Sequence, residues 1–242
     1  MLSASLLRRA VSEALGSFFL LAAIVGSGIM GERLSGGNVA LALLANSIAT
    51  GAALAALILA LSPISGAHFN PLVTAGDAWS GGGRWSEVPT YVAAQTLGAV
   101  FGVCTANAMF GYELTSWSQS RRAGWSLRLS EFVATFGLIA VIRGCSRRES
   151  STVAFAVGAY IAAAYWFTSS TSFANPSVTL ARSLTDTFAG IDPADVPGFV
   201  SAQLAGAAAA SLLFRWLLPA PMAVSNEEEA ESDGPHPVRL SS

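Results

Sequence analysis

The polar side chains able to do chemistry are few in this sequence, and most of them lie in apolar surroundings. Asn70-Pro71-Leu72-Val73-Thr74 and Asn175-Pro176-Ser177-Val178-Thr179 follow one Asn-Pro-x-Val-Thr pattern, the first preceded by SGAHF with His68 and the second by SSTSFA. Glu13 in SEALGSF and Glu131 in SEFVATF place a carboxylate inside apolar runs, where ionisable groups are costly and seldom idle. Gln95 in VAAQTLGA and Gln203 in VSAQLAGA recur in the same way and read as hydrogen-bonding groups between helices. Amides and carboxylates so placed can recognise and support. No nucleophile stands beside a base, and a single His lies among the apolar segments without clustered acids, so an enzymatic site or a metal site is not expected. Cys104 and Cys145 read as free thiols, and neither a cofactor motif nor a basic cluster for nucleic acid is present.

The elements that must hold these groups follow from composition. The chain has 242 residues, 52% of them hydrophobic and 12% charged, about half the usual charge of a soluble domain. Apolar runs of bilayer-spanning length recur, and six spans are expected at Arg9–Met30, Val39–Leu61, Pro89–Phe110, Leu127–Cys145, Thr152–Phe167 and Gly198–Leu218. Two shorter stretches, Asn70–Trp79 and Asn175–Phe188, are too short to span. Each opens with Asn as N-cap and Pro in the first turn, so each reads as a re-entrant half-helix. No cleavable signal peptide is evident in Met1–Met30.

The three motifs recur in the same order in the two halves, about residues 9–110 and 127–218. Three spans per half is odd, so the second half enters from the opposite face and the repeat is inverted. The expected organisation is an all-α membrane domain over 1–218, followed by a polar acidic tail over 219–242 that contains NEEEAESD and reads as disordered. Arg8, Arg9, Arg84, Arg143, Arg147 and Arg148 fall on one side, against Arg33, Arg121 and Arg122 on the other, which favours cytoplasmic termini. Non-helical backbone at membrane depth needs protein or a water-filled cavity around it. Two half-helices meeting end to end turn positive dipole ends and the Asn70 and Asn175 amides toward the midplane. That arrangement suits a passive pore for small neutral solutes.

These motifs resemble those of the aquaporins, the major intrinsic protein family, over nearly the whole chain up to about Leu218. The resemblance implies a right-handed bundle of six transmembrane helices plus two half-helices, with one pore per chain. It also implies a homotetramer in a bacterial inner membrane. It implies that Glu13 and Glu131 accept hydrogen bonds from the re-entrant loops, and that His68 lines the cytoplasmic end of the pore, where a pH gate is the sharper alternative. The family's usual triplet is Asn-Pro-Ala. The Leu72 and Ser177 found here either repack the half-helix junction or alter the midplane constriction.

In the family an Arg usually stands three residues after the second Asn, a position held here by Val178. Arg182 comes one turn later, four residues before Asp186. It reads either as an ion pair at the outer vestibule or as a contributor to solute selection. Counting from the Asn residues puts the other filter positions at Thr50, Ala163 and Ser172. With Val178 these make a wide, uncharged filter, fit for glycerol, urea, ammonia or As(OH)3, and they leave the half-helix dipoles to exclude cations. FANPSVTLARSLTDTFAGI is similar to bacterial aquaporins associated with arsenic resistance, which implies arsenite permeation. The alternatives are a water-selective channel with an altered filter and, less favoured, an ion-coupled secondary transporter, for which Glu13 and Glu131 are the only candidate coupling groups.

Overall fold

The computed structural model describes residues 4–145 and 150–218. Six long helices form the body: α1 (Leu6–Leu34), α2 (Val39–Ser65), α4 (Val88–Met109), α5 (Trp125–Cys145), α6 (Ser150–Phe167) and α8 (Val196–Leu217). Between them lie two short ones, α3 (Pro71–Trp79) and α7 (Pro176–Arg182). Five of the long helices are long and apolar enough to cross a membrane, and α6 is a shorter apolar helix. The acidic tail expected over 219–242 and the basic pair Arg147–Arg148 lie outside the described residues.

The helix starts and stops obey local chemistry. Asn38 caps α2 by accepting from Leu41 N (3.2 Å), and α2 ends at left-handed Gly66. Asn70 and Asn175 are the N-caps of the half-helices and accept from Leu72 N (2.9 Å) and Ser177 N (3.0 Å), with Pro71 and Pro176 in the first turn. The second half-helix stops at Arg182, short of the Phe188 expected from sequence. Past Arg182 the carbonyls of Ser183 and Leu184 accept from Ser118 N and Ser116 N, both 3.1 Å, so the segment between α4 and α5 takes the acceptors that further helix would use.

Packing repeats the internal symmetry. In the first half α1 lies against α2 and α4; in the second, α5 lies against α6 and α8; α2 and α6 join the halves. The seams are closed by small residues. A Cβ on Gly98 would stand 2.1 Å from the Ala14 carbonyl oxygen, and one on Gly206 would stand 2.4 Å from that of Phe132. The half-helices cross over, α7 packing on α4 and α8, and α3 on both as well. Leu72 joins Ile139, Ala207 and Ala210 in a second-half cluster, whereas Ser177 Oγ hydrogen-bonds Thr96 Oγ1 at 2.9 Å. Trp79, Trp85, Trp125 and Trp216 are exposed near helix ends, as interfacial aromatics are, and Trp117 is exposed on the segment between α4 and α5.

Candidate functional site

Each re-entrant loop is held open by one buried carboxylate. Glu13 Oε1 accepts from Ser65 Oγ (2.7 Å) and His68 N (3.0 Å), and its Oε2 accepts from Phe69 N and Gln95 Nε2 (both 2.7 Å). Glu131 Oε1 accepts from Ser170 Oγ (2.6 Å) and Phe173 N (2.9 Å), and its Oε2 accepts from Ala174 N (2.9 Å) and Gln203 Nε2 (2.6 Å). Both glutamates have no exposed surface. Gln95 and Gln203 also donate to Thr74 Oγ1 (2.9 Å) and Thr179 Oγ1 (2.8 Å).

These bonds stabilise backbone that the chain would otherwise avoid. Ala67, Phe69, Ser172 and Ala174 have φ of 52°, 48°, 49° and 50°, and Thr171 has 62°. Left-handed geometry costs a non-glycine residue about 1–2 kcal/mol, and the glutamate network over-determines it. The result is a run of carbonyls turned away from helical partners. Two of them are tied across the repeat, since Asn70 Nδ2 donates to Ala174 O (2.8 Å) and Asn175 Nδ2 to Phe69 O (2.7 Å). Each amide group has a second N–H, and both asparagines line the same cavity.

That cavity, of about 230 Å³, runs between the repeats. One wall is apolar: Leu20 and Ile24 from α1, Leu54 and Ile58 from α2, Leu138 and Ile142 from α5, and Val157 and Ile161 from α6. The other carries Ala67–Asn70 and Ser172–Asn175, the loops just described. Pro71, Pro176, Leu72 and Ser177 do not line it; they shape the half-helix starts behind it.

Among the residues placed at the filter by sequence, Thr50, Ser172 and Val178 line the cavity, but Ala163 does not. Ala163 is exposed on the outer face of α6. The lining positions of α6 are Val153, Val157, Ile161 and Tyr165, a stripe at four-residue spacing. Residue 163, two beyond Ile161, points about 200° away. Tyr165 is the residue that the gap-free count missed, and its hydroxyl donates to Thr50 Oγ1 at 3.3 Å. The i, i+4 stripe was the signal that could have found it.

Of the two readings of Arg182, the ion pair is not formed. No ion pair joins Arg182 to Asp186, whose Oδ1 accepts from Gln119 N (2.9 Å) instead. It is 2% exposed, lines the cavity, stacks its Cζ 3.4 Å from the Phe173 ring centroid and donates from Nε to Ala189 O. Arg122, on the segment between α4 and α5, reaches the same ring at 5.0 Å and donates from Nε to Gly190 O (2.8 Å) and from Nη1 to Ser170 O (3.3 Å). Burial pushes the Arg122 pKa below its ordinary value, and the field of Glu131 opposes that.

The opposite end holds His68, Asp77 and Arg143. His68 Nδ1 lies 3.2 Å from Thr74 Oγ1, and its Nε2 lies 3.9 Å from Asp77 Oδ2. Arg143 stands on α5 twelve residues beyond Glu131, about 18 Å along the helix.

Comparison with known proteins places this geometry. The family profile described as "Major intrinsic protein" matches residues 1–152. An aquaglyceroporin, AqpS, of Rhizobium meliloti is 53% identical over 213 residues, covering 88% of this chain and 91% of its own. Aquaporin NIP1-4 of Oryza sativa is 30% identical over 213 residues, covering 86% of this chain and 76% of its own. Among solved structures, the aquaglyceroporin of Plasmodium falciparum superposes with a TM-score of 0.66 over 88% of this chain and 95% of that one, at 21% identity, a likeness of fold.

Proposed function

The chain belongs to the major intrinsic protein family and is a multi-pass membrane protein, and on that premise we propose that it is a passive channel for small neutral solutes. Water and glycerol-like molecules are its proposed solutes, together with arsenite as As(OH)3. The observation that carries this reading is Val178. This side chain is buried, lines the cavity and stands where a water-selective filter has its Arg. With Thr50 and Ser172 it leaves an opening bounded by small and medium side chains, with Tyr165 on the far wall. The likeness to a bacterial aquaglyceroporin points to glycerol-sized solutes. Arsenite rests on the FANPSVTLARSLTDTFAGI segment.

A carrier is disfavoured by the state of its only candidate coupling groups. Glu13 and Glu131 each accept four hydrogen bonds from loop backbone, Ser and Gln, so both carboxylates are committed to holding the loops. The proposal extends to one pore per chain, a homotetramer, and insertion in a bacterial inner membrane with both termini cytoplasmic. Val178→Arg tests the filter. It should cut glycerol and arsenite entry into proteoliposomes at least several-fold while water flow persists. Unchanged glycerol and arsenite rates would remove Val178 from the filter.

A further inference from the structure

We propose that Arg182, one helical turn beyond Val178, joins Ser172 to form the solute-binding part of the filter. Its two hydrogen-bonding groups would take neutral molecules bearing several hydroxyl oxygens, and its guanidinium would exclude cations. The inference rests on the channel reading above and adds to it the residues that discriminate.

Three observations point to a ligand. Ser172 Oγ and Arg182 Nη1 are both buried polar atoms without a hydrogen-bond partner, on residues 3% and 2% exposed, and both residues line the pore cavity. Buried polar groups are normally satisfied, because leaving one unpaired costs about 1–3 kcal/mol or more if charged. Both residues border the pore cavity, and a solute there is the partner proposed for them. Second, Arg182 is fixed in place. Its Nε is spent on Ala189 O and its plane is stacked on Phe173, so the free Nη1 is held in position as a donor. Third, none of the ion pairs among the described residues includes Arg182, and Arg122 adds a second guanidinium to the same Phe173 ring. Arg122 and Arg182 thus set two guanidinium groups about the Phe173 ring.

The chemistry selects a class. A fixed guanidinium N–H donates to a hydroxyl oxygen, and Ser172 Oγ can either donate or accept. A polyol or a neutral oxyacid presents oxygens to both at once; a solute with one oxygen cannot. Cations meet an unpaired positive charge in a confined, weakly hydrated space. The loss of Arg at position 178 therefore widens the filter without removing its charge.

Two ratios, each independent of how much channel inserts, test the proposal in proteoliposomes of the full chain. The first is potassium flux over glycerol flux. It should rise at least ten-fold in Arg182→Met and stay within about two-fold of wild type in Arg182→Lys. An unchanged ratio in Arg182→Met, or the same rise in Arg182→Lys, overturns the charge role. The second is glycerol over water permeability in Ser172→Ala. It should fall about three- to ten-fold, the loss of one hydrogen bond; an unchanged ratio overturns the binding role. Ser172 Oγ holds no internal bond, so this variant keeps the test open if Arg182→Met does not fold. Absence of glycerol flux in wild type would instead defeat the channel reading itself.

Discussion

The first and second re-entrant loops are copies in their support and opposites in what they show the pore. Glu13 and Glu131 each bind two loop N–H groups, a Ser hydroxyl and a Gln amide. Thr74 and Thr179 each link that Gln to the first half-helix turn. Val73 and Val178 both line the cavity at the third position after Asn. The copies part at the seventh. Asp77 stands seven residues after Asn70 and Arg182 seven after Asn175, so corresponding sites present opposite charges at the two ends of one pore. Their settings differ as well. The Asp77 side chain is 39% exposed, beside His68, whereas Arg182 is enclosed against Phe173. The shared chemistry holds non-helical backbone open at depth; the proposed solute discrimination lies where the symmetry is broken.

Removing a support carboxylate should have the largest effect, and the same effect in either half. Glu13→Ala or Glu131→Ala strands four donors, and breaking a buried charged network of this kind costs about 3–5 kcal/mol. Thermal unfolding in detergent should show a large, matched loss of stability. A loss confined to one half would break the equivalence. Next come the seams. Gly98→Ala and Gly206→Ala each drive a methyl into a facing carbonyl, an overpacking worth about 1–3 kcal/mol, and the two should again match in the same assay.

Changes where the copies differ should leave stability nearly untouched and move selectivity. Tyr165→Phe removes the hydroxyl from Thr50, a bond worth about 0.5–1.5 kcal/mol, and should shift the glycerol-to-water permeability ratio. Ala163→Val, on the exposed face of α6, should change stability by less than about 0.5 kcal/mol and no flux ratio at all. A flux change in Ala163→Val with none in Tyr165→Phe would reverse the reading of which α6 face lines the pore.

The architecture could be read from the sequence because its causes are local. Apolar run lengths reveal spans, Asn-Pro marks a half-helix start, and duplicated Glu and Gln motifs disclose the inverted repeat. Counting along the chain finds positions on the cavity wall at Thr50 and Ser172 but not at Ala163, because which face of a helix lines a cavity depends on rotational phase, and a two-residue error turns it by about 200°. Arg182 was visible as a displaced charge, and its spacing to Asp186 suggested a surface pair. What the spacing omitted was the competition. Gln119 N takes the Asp186 carboxylate, and the Phe173 ring and Ala189 O draw the guanidinium inward. Tertiary partners of that kind leave no local trace in sequence.

The most direct test of the central claim is stopped-flow permeation of the purified wild-type protein in proteoliposomes, with glycerol and arsenite varied over a wide concentration range, with and without a proton gradient. A channel of this design gives flux that rises linearly with concentration and ignores the gradient. Saturating flux that follows the proton gradient, or vesicles no more permeable to glycerol than empty ones, would contradict it.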